Sequence, residues 1–334
     1  MQDYSQEAPS VIKEYLGYMR TVKGKSPLTA FEYYTDLRTF FRYMKVKRKL
    51  VDSNMDFKQI KIDDIDINLI KTITLMDIFE YMNYLVEKRN NSSATRFRKA
   101  ASLRSFFKYL TNKTNQLSYN PLQELELPKV KSSLPKFLTL EQSIELLKSV
   151  DGPYKERDYC ILVLFLNCGM RLSELVGINL NDISSNNTIK ITGKGNKERI
   201  VYLNDACTGA IENYLKVRPK EKLDAGSRNA LFISRNHKRI SPKTVQHIVK
   251  KYLSYIGLEN QGYSTHKLRH TAATLMYQYG EVDIRILKDI LGHENLGTTQ
   301  IYTHVSDKQM REAATSNPLS KIDMSKNFNK TPPV

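Results

Sequence analysis

Residues 112–135, NKTNQLSYNPLQELELPKVKSSLP, break two long runs of helical periodicity with three prolines and a cluster of turn formers. Proline lacks the N–H that a helix interior needs and pushes the residue before it out of the helical region. No regular element crosses such a stretch, so the chain must fold separately on either side. We read 1–111 as one domain, 112–135 as a linker and 136–334 as a second domain. A length of 334 residues is ample for two cores.

The first domain is helical by pattern. In SVIKEYLGYMR, Val11, Ile12, Tyr15, Leu16 and Met19 fall on one face. SPLTAFEYYTDLRTFFRYMK opens with Ser26 as cap and Pro27 at the first helical position. LMDIFEYMNYLVEK and SSATRFRKAASLRSFFKYL complete a set of four amphipathic helices, enough for a small bundle. Residues 51–72, including DDIDI, read as a loop or short insertion without metal-type carboxylate spacing.

In the second domain, TLEQSIELLKSV is capped by Thr139, and the strongly apolar ERDYCILVLFLNCG closes on Gly169. TIKIT and RIVYL alternate around the glycine-rich GKGN, the pattern of a β-hairpin. Helices follow in DACTGAIENYLKVR, SPKTVQHIVKKYLSYIG, STHKLRHTAATLMYQYG and DIRILKDILGH, with a last helical segment from Thr298 toward Ala314. The expected fold class is mainly α: an N-terminal four-helix bundle and a mostly helical C-terminal domain with a small antiparallel β-sheet.

Charge narrows the partner. Lys plus Arg number 52 and Asp plus Glu 35, so the net charge is 52 − 35 = +17. That surplus favours a polyanion, nucleic acid before an anionic membrane surface. No run of apolar residues is long enough for a membrane span. From Lys88 to Lys113 there are eight basic residues and no acidic one. Helical spacing there sets Arg96, Lys99 and Arg104 on one face, away from Leu103, Phe106, Phe107 and Leu110, as a stripe for DNA phosphates. Cys160, Cys168 and Cys207 lack metal spacing and read as core residues of a protein from a reducing cytoplasm.

The candidate chemistry concentrates in 264–304, which holds His266, Arg269, His293 and Tyr302, with Arg171 upstream in GMRLSEL. Displacement at a phosphodiester builds negative charge on the non-bridging oxygens. Arginine meets that charge with a planar fork that never deprotonates. Arg269 follows His266 by three residues, so both project from one helix face. Glu174, three residues after Arg171, is positioned to orient it. His266 and His270 are spaced for zinc, but Lys267 stands where a metalloprotease needs glutamate, and we assign no metal. The phenol of Tyr302 has an ordinary pKa of about 10 and needs a base or a positive field to attack. Lys194, in the hairpin turn GKGNKE, suits proton donation to a leaving 5′ oxygen. Lys197 and Arg199 compete for that role, and simple phosphate contact is open to all three.

GMRLSELVGI, ITGKGNKERIVYL, HKLRH and LGHENLGTTQIYTHV, in this order, resemble the tyrosine recombinase (phage-integrase-type) family, above all its bacterial Xer-like members. SATRFRKAASLRSFFKYL and the helices before it resemble that family's SAM-like core-binding domain. The resemblance implies Tyr302 as nucleophile, forming a 3′-phosphotyrosyl bond. It implies Arg171 and Arg269 as ligands of the scissile phosphate and His266 as proton acceptor or phosphate ligand. It also implies His293 as hydrogen-bond donor to the phosphate and Lys194 as general acid. It further implies no metal and no cofactor. The partner is a double-stranded recombination site, bound by a homo- or hetero-tetramer on two DNA sites that exchanges strands through a Holliday junction. The segment MREAATSNPLS would dock on a neighbouring subunit, and a second recombinase or an accessory protein could take part. The implied setting is the bacterial cytoplasm, at the nucleoid, in chromosome or plasmid dimer resolution or in integration and excision of an element. A type IB topoisomerase shares the chemistry, and a catalytically silent DNA-binding regulator shares the fold. The six candidate residues speak against the latter.

Overall fold

The computed structural model describes residues 7–52, 54–126, 136–193, 197–280, 282–292 and 299. The chain separates into two compact units, Met1–Ser132 and Ser133–Val334.

The first unit is built from α1 (Ser10–Thr21), α2 (Pro27–Lys47), the short α3 (Ile67–Lys71), α4 (Leu75–Glu87) and α5 (Ser93–Asn112). Each long helix after α1 starts on a side-chain cap. Ser26 accepts from the Thr29 amide with Pro27 behind it, Ser92 accepts from Thr95, and Thr74 and Asp77 cap each other reciprocally. The core is aromatic. Phe40 meets Tyr81 edge-on at 5.1 Å between ring centres, and Phe41 meets Phe106 likewise at 6.0 Å.

The insertion at 51–72 is more than a surface loop. Ile60, Ile62, Ile65 and Ile70 are buried in or beside the bundle. The basic run at the end of α2 pins it: Arg42 donates to the Ile60 carbonyl at 2.7 Å, and Lys45 donates to the Lys61 carbonyl and pairs with Asp64 at 2.7 Å. Residues just after α5 also belong to this unit, because Leu117, Leu122 and Leu125 are buried in its core. Packed chain therefore continues well into the segment that composition marks as linker.

The stripe on α5 needs a correction. Lys99 is buried, its ammonium 3.0 Å from the fully buried Asp36 carboxylate, which also accepts from Arg98 and Ser102. A carboxylate in that position is tolerable only with cations and donors around it. Lys99 therefore faces inward. Arg96 and Arg104 are partly exposed, and Arg104 donates to the Leu125 carbonyl.

The second unit packs around α7 (Lys155–Cys168), where every residue from Cys160 to Phe165 is buried. A helix apolar on all sides belongs at the centre of a core. α6 (Leu140–Lys148), α9 (Asp205–Val217), α10 (Pro242–Tyr255) and α11 (Thr265–Tyr279) pack on it, with α8 (Leu172–Gly177) following and α12 (Ile284–Leu291) lying against α11. The thiols of Cys168 and Cys207 approach to 3.7 Å inside this core. A three-stranded antiparallel sheet, β1 (Ile183–Ser184), β2 (Thr188–Thr192) and β3 (Glu198–Tyr202), contains the expected hairpin. β1 was not legible because two residues cannot display a period of two. Among the described residues no helix is long and apolar enough to cross a membrane.

Candidate active site

The site forms where α7 ends. Gly169 takes a left-handed conformation at φ +57°, and a Cβ there would lie 2.8 Å from Leu291 Cδ2. Only glycine gives both that turn and that closeness. The chain then passes the buried Met170 and sets Arg171 at the N-terminus of α8. Glu174, three positions on, accepts the Arg171 amide at 2.7 Å, which fixes the entry to the helix.

The Glu174 carboxylate is the hub, with 1% of its side chain exposed. Its Oε1 accepts from Arg171 Nη1 at 2.8 Å and from Arg199 Nη1 at 2.7 Å, and its Oε2 accepts from Arg199 Nη2 at 2.9 Å. Arg269 Nη1 lies 3.8 Å from Oε2. Burial alone would raise the Glu174 pKa, but the hydrogen bonds from Arg199 and Arg171 outweigh it and hold the carboxyl at about 2. Four charged side chains, three of them cationic, thus share one small volume.

The same guanidiniums grip the end of α12. Arg199 Nε donates to the Ile290 carbonyl at 3.2 Å, Arg269 Nη2 to Leu291 at 2.6 Å and Arg171 Nη2 to Gly292 at 3.0 Å. Three consecutive carbonyls at a helix C-terminus have no intrahelical donor, and this is the end that attracts cations. Gly292 closes the helix at φ +62°, and Arg269 also donates to the Gly169 carbonyl at 2.7 Å. The ends of α7 and α12 are therefore tied through one arginine.

His266 sits in the first turn of α11, exposed, one helical turn before the buried Arg269. Its pKa is lowered by partial desolvation and by Arg269, Lys267 and Arg171. The buried His270 ring meets it edge-on at 4.5 Å and is held down at about 4, by burial first and then by His266, Lys267 and Arg269. Both rings are neutral near pH 7, which suits His266 to accept a proton.

The structure brings Arg171, Glu174, His266 and Arg269 into one neighbourhood. Lys194, His293 and Tyr302 lie outside the described residues. Arg96, Lys99 and Arg104 belong to the other unit. One central residue was passed over: Arg199 figured only as an alternative to Lys194. The signal was present in the strand alternation. Arg199 pairs with the inward-facing Ile191, and Val201 also faces in, while Ile200 and Tyr202 face solvent. An arginine on the inner face of a half-buried strand needs a buried partner.

Comparison with known proteins agrees with this reading. Residues 136–309 match the phage integrase family. The chain is 54% identical over 313 residues to tyrosine recombinase XerC of Caldanaerobacter subterraneus subsp. tengcongensis, covering 94% of this chain and 88% of that protein. It is 36% identical over 323 residues to XerC of Thermodesulfovibrio yellowstonii, covering 93% and 97%. In fold it is similar to XerH site-specific recombinase bound to palindromic difH substrate in a post-cleavage complex, with a TM-score of 0.69 at 23% identity, covering 93% of this chain and 85% of that one. On the strength of these matches and the motif residues gathered around Glu174, this chain belongs to the phage integrase family, among its Xer-like tyrosine recombinases.

Proposed function

We propose that the protein is a site-specific recombinase that cuts and rejoins DNA strands through a 3′-phosphotyrosyl intermediate and a Holliday junction. The observation that carries this reading is the placement of Arg171 and Arg269 on one buried carboxylate, each also anchored to the end of α12. Guanidiniums fixed before substrate arrives stabilise a developing phosphorane without reorganising. In this reading Tyr302 attacks, Arg171 and Arg269 hold the non-bridging oxygens, and His293 adds a hydrogen bond. His266, neutral because its pKa is depressed, takes the phenolic proton. Lys194 protonates the leaving 5′ oxygen. Exchange of strands in pairs calls for a tetramer on two sites, with 310–320 docking on a neighbour, in the bacterial cytoplasm at the nucleoid. The first unit serves as the core-binding domain, with Arg96 and Arg104 of α5 meeting phosphates.

Covalent capture tests this. Genomic fragments that remain attached to the denatured protein are sequenced to identify the site, and a nicked duplex carrying that site then traps the cleaved intermediate. Tyr302→Phe is expected to bind this duplex and form no adduct; undiminished adduct overturns the assignment. Arg171→Ala and Arg269→Ala are each expected to slow adduct formation by on the order of 10²–10³-fold. The rate is expected to fall as pH drops through the pKa of His266, which lies below its ordinary 6.5. An acid limb centred above that value would remove His266 from the role of base.

A further inference from the structure

We propose that Arg199 is a positioning residue for strand cleavage: it neutralises Glu174 so that the charge on Arg171 and Arg269 is available to the scissile phosphate. The inference rests on the proposal that those two arginines bind that phosphate. Arg199 alone among the three takes Glu174 fork to fork, at 2.7 and 2.9 Å, with 15% of its side chain exposed. Its remaining nitrogen holds the Ile290 carbonyl, and its stem lies under Gly292, where a Cβ would come within 3.1 Å of Arg199 Cδ. All three of its nitrogens are therefore already bonded to protein.

The charge arithmetic gives it a function. Three guanidiniums and one carboxylate leave +2 in the cluster. A phosphodiester carries one negative charge, and the pentacoordinate state reached by a phenolate carries two. Remove Arg199, and the cluster falls to +1 with both Glu174 oxygens short of donors. Arg171 already holds Oε1, and Arg269 Nη1 needs to move little more than a hydrogen-bond's difference from 3.8 Å to take Oε2. That move would break its bond to the Gly169 carbonyl. Glu174 would then draw both phosphate ligands toward itself, and the end of α12, which leads into His293, would lose one of its three clamps.

Single-turnover cleavage of the nicked duplex, with DNA binding and thermal melting measured for every variant, tests this. Arg199→Ala is expected to cleave about a hundred times more slowly while binding DNA within about threefold of the native chain. Adding Glu174→Gln is expected to recover at least about tenfold of that loss, because the competing carboxylate is gone. A duplex with a neutral methylphosphonate at the scissile position is expected to bring Arg199→Ala to within about threefold of the native chain, because the reacting group then carries one negative charge fewer. Arg199→Lys is expected to fall between, keeping the charge without the fork. Native-rate cleavage by Arg199→Ala overturns the inference. So does a loss that neither Glu174→Gln nor the neutral linkage relieves, since a merely structural defect would behave that way. Arg171→Ala and Arg269→Ala run alongside: if they cleave like the native chain, the phosphate-site reading itself falls and takes this inference with it.

Discussion

Glu174 shows how much one buried side chain can decide. A carboxylate with 1% exposure would ordinarily resist ionisation, yet this one is ionised far into acid because hydrogen bonds from Arg199 and Arg171 converge on it. Its folded pKa of about 2 lies below the ordinary 4.5, so its contribution to stability is complete above pH 4.5 and is lost as pH falls through 2. The contribution is on the order of 3 kcal/mol. Glu174→Gln is expected to be less stable than the native chain at pH 7, with the gap closing between pH 4.5 and 2 in denaturant titrations. A constant gap across that window would mean the carboxylate is not what the arginines stabilise. His270 works in the same sense over a higher window, here because burial disfavours its charged form. Its folded pKa of about 4 lies below 6.5, so stability falls as pH drops from 6.5 toward 4, where the unfolded chain takes up a proton the folded one refuses.

Among the elements, the two glycine-closed helices set the geometry. α7 and α12 both end in left-handed turns, and the arginines bridge those ends. Gly169→Ala adds a Cβ at 2.8 Å from Leu291 in a conformation that alanine resists. It is expected to cost roughly 1–3 kcal/mol in equilibrium unfolding and to slow cleavage through displaced arginines. The Gly169 turn was legible in sequence, since glycine after an apolar helical run is a C-cap signal. The three-carbonyl clamp at Ile290, Leu291 and Gly292 was not, because its donors come from α8, β3 and α11, segments far apart in sequence. Thr139, read as a cap from its position alone, does cap α6 together with Gln142. Thr139→Ala is expected to lower stability by about 1 kcal/mol in the same unfolding experiment.

For the whole molecule, a charge of +17 makes DNA affinity a function of salt. The α5 residues should separate cleanly in that measurement. Arg96→Ala is expected to flatten the log–log salt dependence of binding by about one unit. Lys99→Met is expected to leave the slope unchanged and to destabilise the first unit by on the order of 3–5 kcal/mol, because Asp36 loses a buried partner. A slope change with Lys99→Met would return that lysine to the DNA face. Sequence by itself determined the helical class, the hairpin, the division into two parts and the residue types able to stabilise a phosphorane, since periodicity, caps and side-chain chemistry are local properties. Tertiary structure alone decided that Lys99 turns inward and that leucines beyond α5 complete the first core. It alone made Arg199 the partner that frees two other guanidiniums. Those outcomes depend on which distant groups share a low-dielectric space, and a buried charge accepts whatever counter-charge the fold delivers to it.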